Sequence, residues 1–285
     1  MGRFWQRFRR AQPVGHHGQM SDVTVALVQT AATTDAAQQR RSVEKWCDQL
    51  AAWHAHPDLV VLPEAAMHDF GAPDDDLAAV AEPLDGPFVG LLSAQSRRLG
   101  GTVVAGMFER SDDPHRPYNT LVAVGPDGSL LGASRKVHLY DSFGYRESDR
   151  LRPGRVEPVV VDVVGLQVGL MTCYDLRFPE YARLLVDAGA DTLCVPAAWV
   201  RGPLKEDHWV TLLRARAIEN TAYVLGAAQC GPTYCGLSQV VDPIGVVVAA
   251  VGDEEAVVTA GLRPERLVAA RERNPALTHR RLPGG

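Results

Sequence analysis

The stretch Val23-Thr-Val-Ala-Leu-Val-Gln29 decides the fold. It is short, rich in β-branched residues and bounded by polar sequence, the pattern of a strand. Strand side chains alternate between two faces, and here both faces are apolar, so the strand must be covered on both sides. Helices on the outside and a second sheet on the inside would supply that cover.

Working outward from this strand, Asp35–Trp53 places Val43, Trp46, Cys47 and Leu50 at helical spacing. Asp58–Leu62 reads as a second strand, Pro87–Leu99 as a helix with proline in its first turn, and Thr102–Phe108 as a third strand. This βαβαβ opening is that of parallel α/β units. Asn119–Val124 and Ser129–Ser134 then flank Gly125-Pro-Asp-Gly128, a hairpin signal, and Val156–Val161 pairs with Leu166–Met171 around Val164-Gly165. Pro179–Ala188 and Glu206–Asn220 read as helices. Thr192–Val195, Tyr223–Ala228, Ser238–Val241, Val246–Val251 and Ala256–Ala260 read as strands. The expected class is α/β with mixed sheets. No linker or repeat interrupts the body of the chain, so residues 22–265 are expected to form one domain. Residues 1–21 read as a disordered or mis-started tail, and residues 266–285 as a C-terminal arm or tail.

Composition narrows the partners. The 285 residues are 46% hydrophobic with a formal charge of −5. Four arginines and no acid precede Met20, so the remainder is more acidic still. Neither a nucleic acid nor another phosphate backbone is expected to bind such a surface. The longest apolar runs fall short of the roughly 18–20 residues of a spanning helix, so no membrane partner is expected. The opening Met1–Arg10 is basic and aromatic but leads into no apolar segment, unlike a secretory signal. It reads as a tail, or as sequence upstream of a natural start at Met20, with a surface anchor as the alternative. Five scattered cysteines (Cys47, Cys173, Cys194, Cys230, Cys235) suit reduced thiols and a cytoplasmic setting better than a disulfide framework.

Three apolar strands end in chemistry-bearing residues. Leu59–Leu62 ends in Pro63-Glu64, Leu130–Ser134 in Arg135-Lys136-Val-His138, and Val168–Met171 in Thr172-Cys173-Tyr-Asp175. In α/β sheets, ligands bind beyond the carboxyl ends of strands. Singly, each residue has a plainer reading: Cys173 as a small buried hydrophobe, Glu64 as a cap, Lys136 as surface charge. Together they are a nucleophile, a base and a cation for a developing oxyanion, the requirements of acyl transfer. Cys173 sits before a helix, where amides favour thiolate.

The set Pro63-Glu64, Arg135-Lys136-Val-His-Leu-Tyr140 and Cys173-Tyr-Asp-Leu-Arg-Phe-Pro-Glu180 resembles the carbon–nitrogen hydrolase (nitrilase) superfamily. Seventy-two residues separate Glu64 from Lys136 and 37 separate Lys136 from Cys173, in keeping with it. The resemblance runs from about Val23 to about Arg263, through Gly106-Met-Phe108, Tyr118-Asn-Thr120, Glu147-Ser148, Pro196-Ala-Ala-Trp199 and Leu213–Thr221. It implies a four-layer αββα sandwich of two mixed sheets flanked by helices. It also implies a Glu64–Lys136–Cys173 triad, with Glu147 as a second glutamate near the site. The segment Cys173–Glu180 is similar to the ω-amidase and deaminated-glutathione amidase branch. That implies a cysteine-dependent amidase acting on a small carboxylate-bearing amide. No cofactor or metal is expected, because a thioester on Cys173 divides the barrier. Tyr174, Arg177 and Trp199 read as substrate-binding residues and the Arg201–His208 loop as a further part of the pocket lining, with Arg177 or Arg201 holding a substrate carboxylate. The plain alternative for Arg177 is a structural ion pair. A homodimer or higher homo-oligomer is implied by the resemblance.

Rival readings stand beside this one. Hydrolysis of N-carbamoyl amines or nitriles is the alternative within enzymes, and a catalytically inert binding or scaffold protein is the alternative outside them. His54-Ala-His56 has the form of a metal-binding pair but follows a helix rather than ending a strand. Cys230 and Cys235 lack the second ligand pair of a zinc site and read as free thiols.

Overall fold

Strand β1 (Val23–Gln29) divides two cores, as its sequence requires. In the computed structural model, which describes residues 22–52, 56–142 and 144–282, Val25 and Leu27 face a core shared with Val168, Leu170 and Leu225. The intervening Ala26 and Val28 face Val43, Trp46 and Leu92. β1 belongs to a six-stranded sheet ordered β14 (Ala256–Leu262), β1, β2 (Leu59–Val61), β3 (Thr102–Glu109), β4 (Tyr118–Val124), β5 (Leu130–Arg135). β1, β2 and β3 are parallel, while β14, β4 and β5 join antiparallel. The second sheet repeats the plan in the order β13 (Val247–Ala250), β12 (Gln239–Val241), β11 (Tyr223–Ala228), β10 (Thr192–Ala197), β9 (Leu166–Leu170), β8 (Val160–Val163). Its three central strands are parallel.

Helices close the two outer faces. α1 (Ala36–Ala51) and α2 (Pro87–Leu99) cover the first sheet, and α3 (Pro179–Asp187) and α4 (Lys205–Asn220) cover the second, over Met171, Leu193, Val195 and Val224. The result is the four-layer αββα sandwich. Three of these helices start where the sequence marks them. Asp35 caps α1 by accepting from the Gln38 N–H at 2.9 Å, and prolines open α2 and α3. Among the described residues no helix is long and apolar enough to cross a membrane.

The departures from the sequence reading have local causes. β8 starts at Val160 rather than Val156, because Pro158 lacks a ladder donor and Val156 is exposed. β10 continues through Pro196 to Ala197. Its β9 neighbour has already ended opposite Cys194, so the proline breaks no bond on that side. A two-residue ribbon, β6 (Asp141–Ser142) and β7 (Tyr145–Arg146), is too short to carry any periodicity. α5 (Pro264–Arg273) crosses the expected boundary at residue 265 and puts Leu267 into the inter-sheet core. The N-terminal tail reading, Trp53 at the expected end of α1 and His54 of His54-Ala-His56 lie outside the described residues.

Candidate active site

Three strand ends and one ribbon converge on a cavity of about 530 Å³. Glu64 follows β2 in a tight turn in which Ala65 takes a φ of +55°. The turn lies directly on Gly106, where a Cβ would stand 2.6 Å from the Ala65 nitrogen, so only glycine lets β3 pass beneath it. Lys136 follows β5. Its neighbour Arg135 points the other way and grips Glu109 with two hydrogen bonds (2.6 and 2.8 Å). The Lys136 N–H donates to the Asn119 carbonyl at 2.8 Å. Strand alternation then sends the Lys136 side chain inward, where it is 2% exposed. Cys173 follows β9 and opens a 3₁₀ turn, Cys173–Arg177, with a φ of +46°. A non-glycine residue held there is strained, a condition that clusters at functional sites.

Lys136 is the hub. Its Nζ donates to Glu64 Oε1 at 3.0 Å and to both oxygens of Glu147 at 2.9 Å. Glu64 is fixed further by Asn119 Nδ2 on Oε1 (2.7 Å) and by the Ala198 N–H on Oε2 (2.6 Å), and Gln229 Nε2 holds its backbone carbonyl (2.8 Å). Glu147, delivered by the β6–β7 ribbon, accepts the Tyr140 N–H at 2.6 Å. A buried charge persists when it is paired and hydrogen-bonded, and each of these three charges is.

Electrostatics sets the protonation. Burial works against the Lys136 ammonium, but the charges of Glu147 and Glu64 outweigh it and hold the group well above its ordinary pKa. Burial, opposed by Lys136, pushes the Glu147 carboxyl up. Burial and then the Glu64 charge push the Cys173 thiol well above its ordinary value. This corrects the expectation that the turn would favour thiolate. Withdrawal from water outweighs any gain from nearby amides, so the resting sulfur keeps its proton beside a carboxylate able to receive it.

The expected substrate-binding residues line the same cavity. Trp199 is 3% exposed and donates from Nε1 to the Lys205 carbonyl at 2.7 Å. The Arg177 guanidinium lies 5.0 Å from the centre of the Trp199 ring and 5.9 Å from that of Tyr174. Its side chain meets His208 Nδ1 at 3.2 Å, and it has no carboxylate partner among the described residues. Arg201 is committed elsewhere, to Asp253 and to the Tyr234 carbonyl, both at 2.9 Å.

Sequence reasoning missed the supports. Asp175 accepts from the Thr172 N–H (3.1 Å) and the His138 N–H (2.9 Å) and contacts His138 Nδ1 at 2.7 Å, tying the Cys173 turn to the Lys136 segment. The signal was present, since Asp175 and His138 each lie two residues from a proposed triad member. Asn119 carried a signal only through the Tyr118-Asn-Thr120 similarity. Gln229 and the ribbon carried none, whereas Lys205 lies in the Arg201–His208 loop expected to line the pocket, and it does line it.

Comparison with known proteins gives the family. The family model for carbon–nitrogen hydrolase matches residues 24–272. A deaminated glutathione amidase of Escherichia coli O157:H7 is 42% identical over 237 residues, covering 82% of this chain and 90% of that protein. A carbon–nitrogen hydrolase superfamily protein of Xanthomonas campestris, solved with an arsenic adduct in its active site, superposes with a TM-score of 0.83 at 32% identity, covering 93% of this chain and all of that one. An amidase of Nesterenkonia sp. AN1, seen with the acetamide moiety of fluoroacetamide added covalently at its active-site cysteine, gives a TM-score of 0.76 at 26% identity, covering 93% of this chain and 98% of that one. Fold, motifs and relatives agree, and the chain belongs to the carbon–nitrogen hydrolase family.

Proposed function

We propose that this carbon–nitrogen hydrolase is an amidase that cleaves a small carboxylate-bearing amide through a thioester on Cys173. The observation that carries the reading is the buried hydrogen-bonded cluster Glu64–Lys136–Glu147 in one cavity with a strained Cys173. As the sulfur attacks the amide carbonyl, Glu64 takes the thiol proton. Lys136, kept protonated, and the Tyr174 N–H face the developing oxyanion. The tetrahedral adduct collapses, Glu64 returns the proton to the departing nitrogen, and ammonia or an amine leaves. Water then gives a proton to Glu64 and attacks the thioester, and the acid product leaves as Cys173 regains its proton. Glu147 positions Lys136 throughout. Tyr174, Arg177 and Trp199 bind the substrate. Besides the amide and one water, each step uses a group of the chain itself.

Five buried free thiols fit a cytoplasmic protein, and the family resemblance supports a homodimer. Light scattering should give twice the mass of the chain, and a monomeric mass would end the dimer reading. The reaction is tested by assaying ammonia from amides and carbon dioxide from N-carbamoyl amines in parallel. Ammonia from an amide, absent with Cys173→Ala, is the expected result. Carbon dioxide release alone would move the protein to the carbamoyl branch, and no turnover of either class would favour a scaffold.

A further inference from the structure

Lys205 stands where helix electrostatics disfavour it. It is the first residue of α4, and a helix N-terminus carries partial positive charge that repels cations. Its side chain is nonetheless turned inward and is only 8% exposed. The residue before it, Leu204, takes a φ of +59°, a conformation that residues with side chains rarely adopt. Leu204 itself is left 71% exposed, so the strained turn serves the placement of Lys205 and not the packing of Leu204.

The inward side chain joins an aromatic wall. Lys205 Nζ donates to the Tyr140 hydroxyl at 2.9 Å and lies 4.5 Å from the centre of the Tyr140 ring and 5.8 Å from that of Trp199. The Arg177 guanidinium faces the same indole at 5.0 Å. All four residues line the cavity that contains Cys173. The two glutamates in that lining, Glu64 and Glu147, are both bonded to Lys136. The cavity that holds the reacting groups therefore also presents two further cations, one of them at the start of a helix, a combination suited to an anion.

We propose that Lys205, with Arg177 beside it, selects the substrate by taking the carboxylate of an anionic amide whose carbonyl lies at Cys173. This assignment rests on the amidase reading above. An ammonium has three donors, so Lys205 reaches a carboxylate while keeping its bond to Tyr140. The contact also links Lys205 to Glu147, because the Tyr140 N–H is bonded to that carboxylate.

The test compares glutaramate, an anionic amide, with valeramide, the same carbon chain without the carboxylate. Wild type, Lys205→Met and Lys205→Arg are assayed on both. Methionine keeps the stem against Trp199 and Tyr140 and removes the charge. The glutaramate-to-valeramide ratio of kcat/KM should fall about 10- to 100-fold in Lys205→Met, the loss of one hydrogen bond to a charged group. That fall should appear mainly in KM, and arginine should restore part of the ratio. Equal losses on both amides, or an unchanged ratio, would overturn the assignment. If wild type hydrolyses neither amide, the amidase reading fails instead. Calorimetric titration with glutarate then decides Lys205 by itself: binding about tenfold weaker in Lys205→Met supports the carboxylate site, and equal binding overturns it.

Discussion

At the residue scale, Glu64 and Cys173 are assigned a single proton that moves between them. Glu64→Gln keeps the shape and the Asn119 contact but cannot receive a proton. The expected result is kcat/KM lower by about 10²–10⁴-fold, the usual contribution of a general base, with the melting temperature within a few degrees of wild type. Steady-state ammonia release and a thermal melt check both. Lys136→Met should be more damaging. It strands Glu64 and Glu147 as buried carboxylates sharing no cation, and breaking a buried ion pair in this way destabilises by about 3–5 kcal/mol. Urea denaturation beside an activity assay separates the two losses. An active Lys136→Met protein of wild-type stability would contradict the hub role. Cys173, Glu64 and Lys136 were readable because each follows an apolar strand, where a polar residue is conspicuous. Asn119 acts by hydrogen bonding to Glu64, and its spacing along the chain does not announce it, while Asp175 is marked only by lying two residues from Cys173.

At the element scale, the site depends on how the ends of β2, β5 and β9 are set against their neighbours. The Glu64 turn lies directly against Gly106 of β3. Gly106→Ala should therefore push the turn outward, lowering stability by about 1–3 kcal/mol through overpacking. Activity should fall along with it, since Glu64 rides on that turn. Denaturant melts and kcat measured on the same preparation check the pair. A stable but inactive variant would place the damage in Glu64 alignment alone, while a fully active one would remove the close contact from the account. Strand and helix positions followed from apolar periodicity and from prolines at helix starts. What periodicity could not supply was the β6–β7 ribbon that carries Glu147. Two-residue strands have no period, and Glu147 could be assigned only through family similarity. The sequence reading of β10 stops at Val195, before Pro196, whereas the strand runs on in register with Ala227 and Ala228 of β11 and only its β9 side is unpaired there.

At the scale of the whole molecule, the sandwich buries groups that bind protons more tightly folded than unfolded. Burial pushes the thiols of Cys47 and Cys235 up to about 12 and that of Cys230 up to about 11 from an ordinary 9.0, and raises Cys194 and Cys173 as well. The unfolded chain releases these protons first, so stability is fully present below about pH 9 and is lost as pH rises toward the folded values. Lys136, also raised, adds to the same alkaline loss. Chemical denaturation between pH 8 and 11 should show a steady fall, smaller in Cys173→Ala than in wild type. A flat profile would contradict the burial of these groups as a set. Cover on both sides could be read from β1, because a strand apolar on both faces demands it, while the four-layer arrangement was legible through the family resemblance. The seating of α5 against the inter-sheet core could not, since only Leu267 and Ala270 of its surface are drawn in as apolar contacts beside its first proline.

The covalent step is the claim on which these scales meet. The most direct measurement is rapid-quench mass spectrometry of the protein mixed with a slowly cleaved anionic amide, followed by peptide mapping. The account predicts a transient gain equal to the substrate mass less ammonia, confined to the peptide carrying Cys173. An adduct on Cys230 or Cys235, or turnover by Cys173→Ala at the wild-type rate, would contradict it.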